Sequence, residues 1–237
     1  MALRLPTPGG AVEALLAAPA GPARLTDLVE PARSLTDLSM RRLVQGAASR
    51  GDPVPCRKGC CSCCRYLVPV SPPEAMDMAD RVERLPQPRR GEVEGRLRRA
   101  AEAILRAAPS LAPRPTTEQL SRWYWSLGLD CPLLEEGACS IYPWRPLACR
   151  EHIIADSPAD CAREQSPQVP LAPPVSLALA LCRAAAVLEG TEPQSVLLPL
   201  ALLWARSHAP RRHRTYPAAA LAEALARAME TASPLAA

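Results

Sequence analysis

The 237-residue chain contains no asparagine and no phenylalanine, and Lys58 is its only lysine. The missing residue types have A/T-rich codons, while alanine, leucine, arginine and proline abound; a biased base composition of bacterial type explains both. Positive charge is therefore almost all arginine, and interleaved acidic residues leave a net charge of only +4. A nucleic-acid surface needs basic residues clustered on one face. The nearest candidate, RRHR at 211–214, is too short to make one, so no nucleic-acid partner is expected. Long apolar runs are missing too: nothing reaches the roughly 18–20 residues that cross a bilayer. The stretch SVLLPLALLWA, 195–205, is short and contains Pro199. The first residues carry an apolar segment, but it includes Glu13 and follows two prolines and two glycines, so no secretory leader is expected. A cytoplasmic protein without a membrane partner is the expectation. Glycine-rich phosphate loops, GxSxG, HExxH and dinucleotide fingerprints do not occur either, which leaves no motif for nucleotide, serine-hydrolase or zinc-protease chemistry.

What the chain does have is cysteine. Ten are present, five of them within PCRKGCCSCCR at 55–65. Hydrophobic residues make up 48% of the chain, so a core can form without cross-links. Cytoplasmic thiols are normally kept reduced, and crowded thiols in such a chain read as ligands or redox groups rather than a disulfide framework.

Periodicity and capping signals predict a mainly α fold: helices around an irregular cysteine-rich middle, with little or no β. Helices are expected over 11–19, 34–49 (after a break at Pro31), 72–83, 90–107, a short segment from Thr116 or Thr117, 174–189, 193–207 and 217–231. SPPE at 71–74 is the sharpest signal, with Ser71 as cap, Pro72 at the first helical position and Glu74 closing a capping box. YLVPV (66–70) and REHII (150–154) are the strand candidates. The chain divides into an N-terminal helical segment (1–51), a cysteine-bearing core (52–165) and a C-terminal helical segment (166–237), expected to form one compact unit.

Projected on a helix at 100° per residue, Cys56, Cys60, Cys63 and Cys64 share one face and Cys61 falls off it. If Gly59 instead opens a loop, that projection does not apply. Cys131, Cys139, Cys149 and Cys161 form a second group whose gaps are too wide for a local hairpin site and suit a chain wrapping a shared centre. Thiolate selects zinc, copper(I) or iron–sulfur clusters. The vicinal pair Cys63–Cys64 favours two metals or a polynuclear centre, because neighbouring side chains point apart. The spacing is not the ferredoxin run and contains no pair of tidy zinc knuckles. Arg57, Lys58, Arg65, Arg145 and Arg150 supply cations that would offset thiolate charge.

Cysteines at 56, 60, 63 and 64, followed by CPLL (131–134), CSIY (139–142), RP (145–146) and CR (149–150), resemble the YkgJ-type cysteine-cluster family of zinc- or iron-chelating CxxCxxCC proteins, also labelled iron–sulfur proteins. The resemblance spans about residues 52–165. It implies Cys56, Cys60, Cys63, Cys64, Cys131, Cys139 and Cys149 as metal ligands, with Cys161 close behind. Separately, Arg145 and Arg150 are expected around the cofactor, orienting the irregular loop through backbone or carboxylate hydrogen bonds. This chain departs from the pattern in its three-residue first gap and in the additional Cys61. His152 has ligand-compatible spacing from Cys149, though a position outside the ligand set is the plainer expectation. Cys182 reads as a small buried hydrophobe. The leading expectation is a metal-binding protein holding an iron–sulfur cluster or zinc, with a redox or metal-handling role. The alternatives are an iron–sulfur-dependent enzyme of redox or methyl-transfer type, since flagellin lysine methylases look similar in their cysteine cluster, and a zinc-stapled interaction module.

Overall fold

A computed structural model describes residues 2–7, 10–15, 21–52, 54–110, 113, 115–155, 157–163 and 171–232. The chain is mainly α-helical. Helix α1 (Val29–Ser49) follows a 3-10 turn at Leu25–Leu28 and runs straight through Pro31. Proline is tolerated there because the amides of a first helical turn lack intrahelical partners anyway; the expected break at Pro31 does not occur. Helix α2 spans Pro72–Glu83, as SPPE implies, and its capping box is complete: the Glu74 amide donates to Ser71 Oγ, and the Ser71 amide donates to the Glu74 carboxylate at 3.0 Å. Helices α3 (Arg89–Ala107) and α4 (Thr117–Ser126) follow, the latter capped by Thr116 and Gln119. The middle of the chain holds only the short helices α5 (Leu147–Glu151) and α6 (Pro158–Cys161). Helix α7 (Leu177–Glu189) is capped by Ser176 and ends on left-handed Gly190. Helices α8 (Ala201–Ser207), α9 (Ala209–His213) and α10 (Ala218–Thr231) complete the set.

The expectations differ from this in three further places. Residues 10–15, expected as the start of a helix over 11–19, form a strand; the remainder of that span lies outside the described residues. Strand β1 (Ala2–Thr7) pairs antiparallel with β2 (Gly10–Leu15), placing Leu5 opposite Val12. Leu5 is fully buried, so tertiary packing overrides the helical propensity of the Ala/Glu/Leu run. The helix expected from 193 begins only at Ala201, because Pro199 supplies no amide to a longer helix and residues 196–197 pair elsewhere. REHII is not a strand: Arg150 and Glu151 end α5, and only Ile154 makes a β-bridge.

Three further ladders are short. Strand β3 (Pro22–Arg24) pairs with β8 (Thr215–Pro217), β4 (Pro69–Val70) with β7 (Val196–Leu197), and β5 (Leu134–Glu135) with β6 (Ala138–Cys139). Among the described residues no helix is long and apolar enough to cross a membrane.

Three apolar clusters organise the interior. The first joins α1, α7 and α10 and includes Leu147 of α5. The second joins α2, α3 and α8, with Leu133 and Ile141 inside it and Cys131, Cys139 and Trp144 against it. The third, around Met40, Leu43 and Ile153, has Cys56 at its margin. The cysteine-bearing segments thus line the ground between all three. Buried ion pairs tie the helices together: Arg33 to Asp77 at 2.6 Å links α1 to α2, and Arg212 Nε to Asp80 at 2.6 Å links α9 to α2.

Candidate metal centre

Residues 55–65 are not helical. They form successive turns, in which the amides of Cys60, Cys64 and Tyr66 donate to the carbonyls of Arg57, Cys61 and Cys63 at 2.9–3.0 Å. Gly59 has φ +92°, a conformation that L side chains rarely adopt. The helical projection therefore does not describe this run. The vicinal Cys63 and Cys64 thiols act on each other: Cys63 is drawn down and Cys64 pushed up.

The second group is joined to the first through the main chain. The Cys131 amide donates to the Cys64 carbonyl at 2.6 Å. Cys131 precedes β5 and Cys139 ends β6, so the two border a hairpin whose turn residues Glu136 and Gly137 both have positive φ. The hairpin is held from α3, where Arg89 and Arg96 both bond the Glu135 carboxylate and Arg96 Nε donates to the Pro132 carbonyl at 2.9 Å. Sulfur on each side of the hairpin accepts a main-chain amide two residues on, Leu133 for Cys131 and Ile141 for Cys139. The Ile154 amide serves Cys56 in the same way. Such bonds favour thiolate and are a lever on the electronics of any metal the sulfur carries.

Cys149 is placed by α5, and α5 by two side chains. The buried Glu74 carboxylate accepts from the Leu147 amide at 2.7 Å while also accepting from Ser71. One carboxylate thus closes the capping box of α2 and caps α5. Burial pushes its pKa up despite these donors. Arg150 then fastens the loop before α5: Nε donates to the Arg145 carbonyl at 3.1 Å, Nη2 to the Pro143 carbonyl at 2.5 Å and Nη1 to Asp37 of α1 at 2.6 Å. Cys161 is buried at the end of α6.

Cys63 is the electrostatic hub of the region. Its charge acts on Cys56, Cys64, Cys131, Cys139, Cys149 and Cys161, while Cys60 acts on Cys56 and Cys161. The neighbouring Cys64 thiol draws the Cys63 thiol down to about 7. Cys63, together with burial, pushes Cys64 up. Burial raises Cys131 and Cys161 to about 11 and Cys149 well above the ordinary thiol value. Arg145 opposes this, lowering Cys56, Cys63, Cys139 and Cys149. Its guanidinium lies 4.0 Å from the Tyr142 ring centroid, and its Nε is buried without a hydrogen-bond partner.

Cys182 lies on α7, where burial raises its thiol to about 12. The His152 ring packs edge-on against Tyr66 at 5.4 Å, Tyr66 packs on Trp125 at 5.5 Å, and Arg65 lies over Trp125. His152 Nε2 is buried without a partner.

Soft sulfur donors, amide–sulfur hydrogen bonds and an adjacent unpaired cation fit a thiolate-bound metal. Among the described residues, however, no three His, Cys, Asp or Glu side chains are grouped tightly enough to hold one ion. The thiols are neighbours rather than a closed cage. The cap that Glu74 gives α5 and the amides of Leu133, Ile141 and Ile154 are not legible in the sequence; Cys-x-hydrophobic at 131–133 and 139–141 is the signal that points to two of them.

Residues 55–166 match the CxxCxxCC family, described as "Putative zinc- or iron-chelating domain". No curated protein and no solved structure gives a match to the chain.

Proposed function

We propose, taking as premise that residues 55–166 belong to the CxxCxxCC family, that this protein holds a polynuclear iron–sulfur centre through thiolates of both cysteine groups. The ligands are drawn from Cys56, Cys60, Cys63, Cys64, Cys131, Cys139, Cys149 and Cys161. The observation that carries this is the junction of two segments separated by about seventy residues, where the Cys131 amide donates to the Cys64 carbonyl at 2.6 Å; thiols on both sides of it perturb one another. One tetrahedral zinc site uses four ligands. Eight thiols that include a vicinal pair exceed that requirement and suit a larger centre.

A bound cluster would supply one-electron redox chemistry, its potential set by burial, hydrogen bonds to sulfur and nearby charge. The chain provides each of these levers: partial burial among three apolar clusters, amides aimed at Cys56, Cys131 and Cys139, and the Arg145 guanidinium to offset thiolate charge. Glu74 and Arg150 are positioning residues, acting through the main chain that carries Cys149.

Anaerobic purification followed by iron, zinc and acid-labile sulfide analysis tests the proposal. Iron and sulfide in near-equal amounts, with broad visible absorption bleached by dithionite, are expected. Colourless protein with stoichiometric zinc and no sulfide would overturn the cluster and leave a zinc centre in its place.

A further inference from the structure

We infer that the C-terminal half of α1, with the loop that folds back from it, is a docking surface for a protein with an acidic face. Residues 41–58 hold five basic side chains, Arg41, Arg42, Arg50, Arg57 and Lys58, against one acidic side chain, Asp52. The charges of the rest of the chain cancel, so this stretch carries the whole net charge of +4. All five basic residues are exposed, and among the described residues none of them has an ion pair. Basic residues elsewhere are neutralised: in RRHR, Arg211 bonds Glu189, and Arg212 bonds Asp80 and Glu83. Arg41 has a carboxylate one turn earlier, Asp37, but Arg150 holds it at 2.6 Å.

The backbone gathers these cations. Past the end of α1 the Asp52 amide turns back to the Ala47 carbonyl at 3.1 Å. Val54 and Cys56 then pack against the cluster of Met40 and Leu43, so Arg57 and Lys58 follow a residue seated beside the turn of α1 that bears Arg41 and Arg42. Arg50 Nη1 lies 3.6 Å from the point where a Cβ on Gly46 would stand, so this guanidinium folds back along the helix towards Arg42. The helix rises about 12 Å from Arg41 to Ser49, short against an ordinary interface that takes about 800 Å² from each partner. The dipole of α1 favours cations only in its last turn, where Arg50 follows; Arg41 and Arg42 stand two turns earlier.

The surroundings choose among anionic partners. Residues 38–60 contain no aromatic side chain, so no platform exists there for stacked bases. The exposed large apolar side chains Leu105, Val187 and Leu203 all lie elsewhere, so nothing here anchors into a lipid interface. Cations set among Ser, Gln, Ala and Gly complement the carboxylates of a protein surface and steer its approach. A partner seated there borders Cys56 and Cys60, and that consequence alone rests on the reading of the thiols as a metal centre. Docking itself does not depend on which metal the cysteines hold, so the two proposals fail separately.

A capped polyglutamate peptide, rich in carboxylates and free of amines, tests the surface on the full-length protein. It is expected to bind saturably and to weaken at least tenfold as salt rises from about 50 to about 300 mM. Lys58 is the only lysine, so a carbodiimide should join the peptide to the protein at Lys58, as located by mass spectrometry, and Lys58→Arg should abolish the link. Arg41→Glu/Arg42→Glu should weaken the peptide at least tenfold. Arg99→Glu/Arg106→Glu, an equal change of charge on exposed residues of α3, should weaken it less than twofold. Arg42→Gln/Arg50→Gln, expected to weaken it severalfold, is the second variant should the first misfold. Absence of saturable binding, equal losses in the two charge-reversed variants, or a link at the N-terminal amine in place of Lys58 overturns the inference. Oligothymidylate or phosphatidylserine vesicles that bind tighter than the peptide, and lose that binding in the Arg41/Arg42 variant, would overturn it in favour of a nucleic acid or a membrane.

Discussion

Arg150→Ala removes the side chain that fastens the 143–149 segment to α1. Three bonds are lost: to the Pro143 and Arg145 carbonyls and to Asp37. Arg150 is only 7% exposed, whereas the Asp37 side chain is 42% exposed and recovers water when its partner goes. Most of the cost therefore falls on the two carbonyls, at about 1–3 kcal/mol for each left unpaired in a buried setting. Allowing for relaxation, a net loss of about 3 kcal/mol follows. For a chain of this size that lowers Tm by about 6–12 °C. The same loop sets the position of Cys149, so metal affinity should fall by about 10–100-fold, the usual consequence of losing a residue that orients ligands. Thermal unfolding followed by circular dichroism gives the first quantity, and competition with a chromogenic chelator gives the second. Arg150→Lys, which keeps the charge but cannot reach all three partners, should recover only part of either. A Tm within about 2 °C of wild type would refute the anchoring role. A full Tm loss with unchanged metal affinity would show that the loop is structural alone.

Three further outcomes are expected. Glu74→Gln preserves shape but points an amide N–H₂ at one of the donors now satisfied by the carboxylate; stability should fall by about 1–3 kcal/mol, and an unchanged urea midpoint would show the α2–α5 link to be idle. Arg212 holds the Glu83 carboxyl below its ordinary range, so that pair's contribution is present above about pH 4.5 and is lost as the pH falls through the lowered folded value. Glu83→Gln should accordingly flatten the acid limb of the stability profile, and an identical acid slope in the variant would contradict the assignment. Gly59→Ala forces a side chain into a φ of +92° and should cost about 1–3 kcal/mol, read as a lower chemical midpoint; no change would mean the turn can form at negative φ.

Local chemistry made much of this fold readable in advance. The SPPE cap placed α2 to the residue, and Thr116 placed α4, because capping depends on four adjacent side chains and little else. The β1–β2 hairpin was hidden because its strand character comes from burying Leu5 against distant helices, while its composition favours helix. The helix expected over 193–207 starts late for a related reason: β7 exists only because β4, more than a hundred residues earlier, pairs with it. The cysteine segments were recognisable from spacing, yet their geometry was not. Turns at 57–66 stand where the helical projection would apply. The positioning bonds join residues 73 apart (Glu74 to Leu147) and 113 apart (Arg150 to Asp37), and such pairs leave no periodic trace along the chain.

The central claim is that two distant cysteine groups serve one centre, and metal content in single-cysteine variants tests it most directly. Cys139→Ser, purified anaerobically beside Cys61→Ser, should lose most of its bound metal, because Cys139 lies within the charge neighbourhood of Cys63 across the hairpin. Cys61→Ser should retain it. Full metal content in the Cys139 variant, or loss in the Cys61 variant alone, would contradict a shared centre and place the metal within residues 55–65 by themselves.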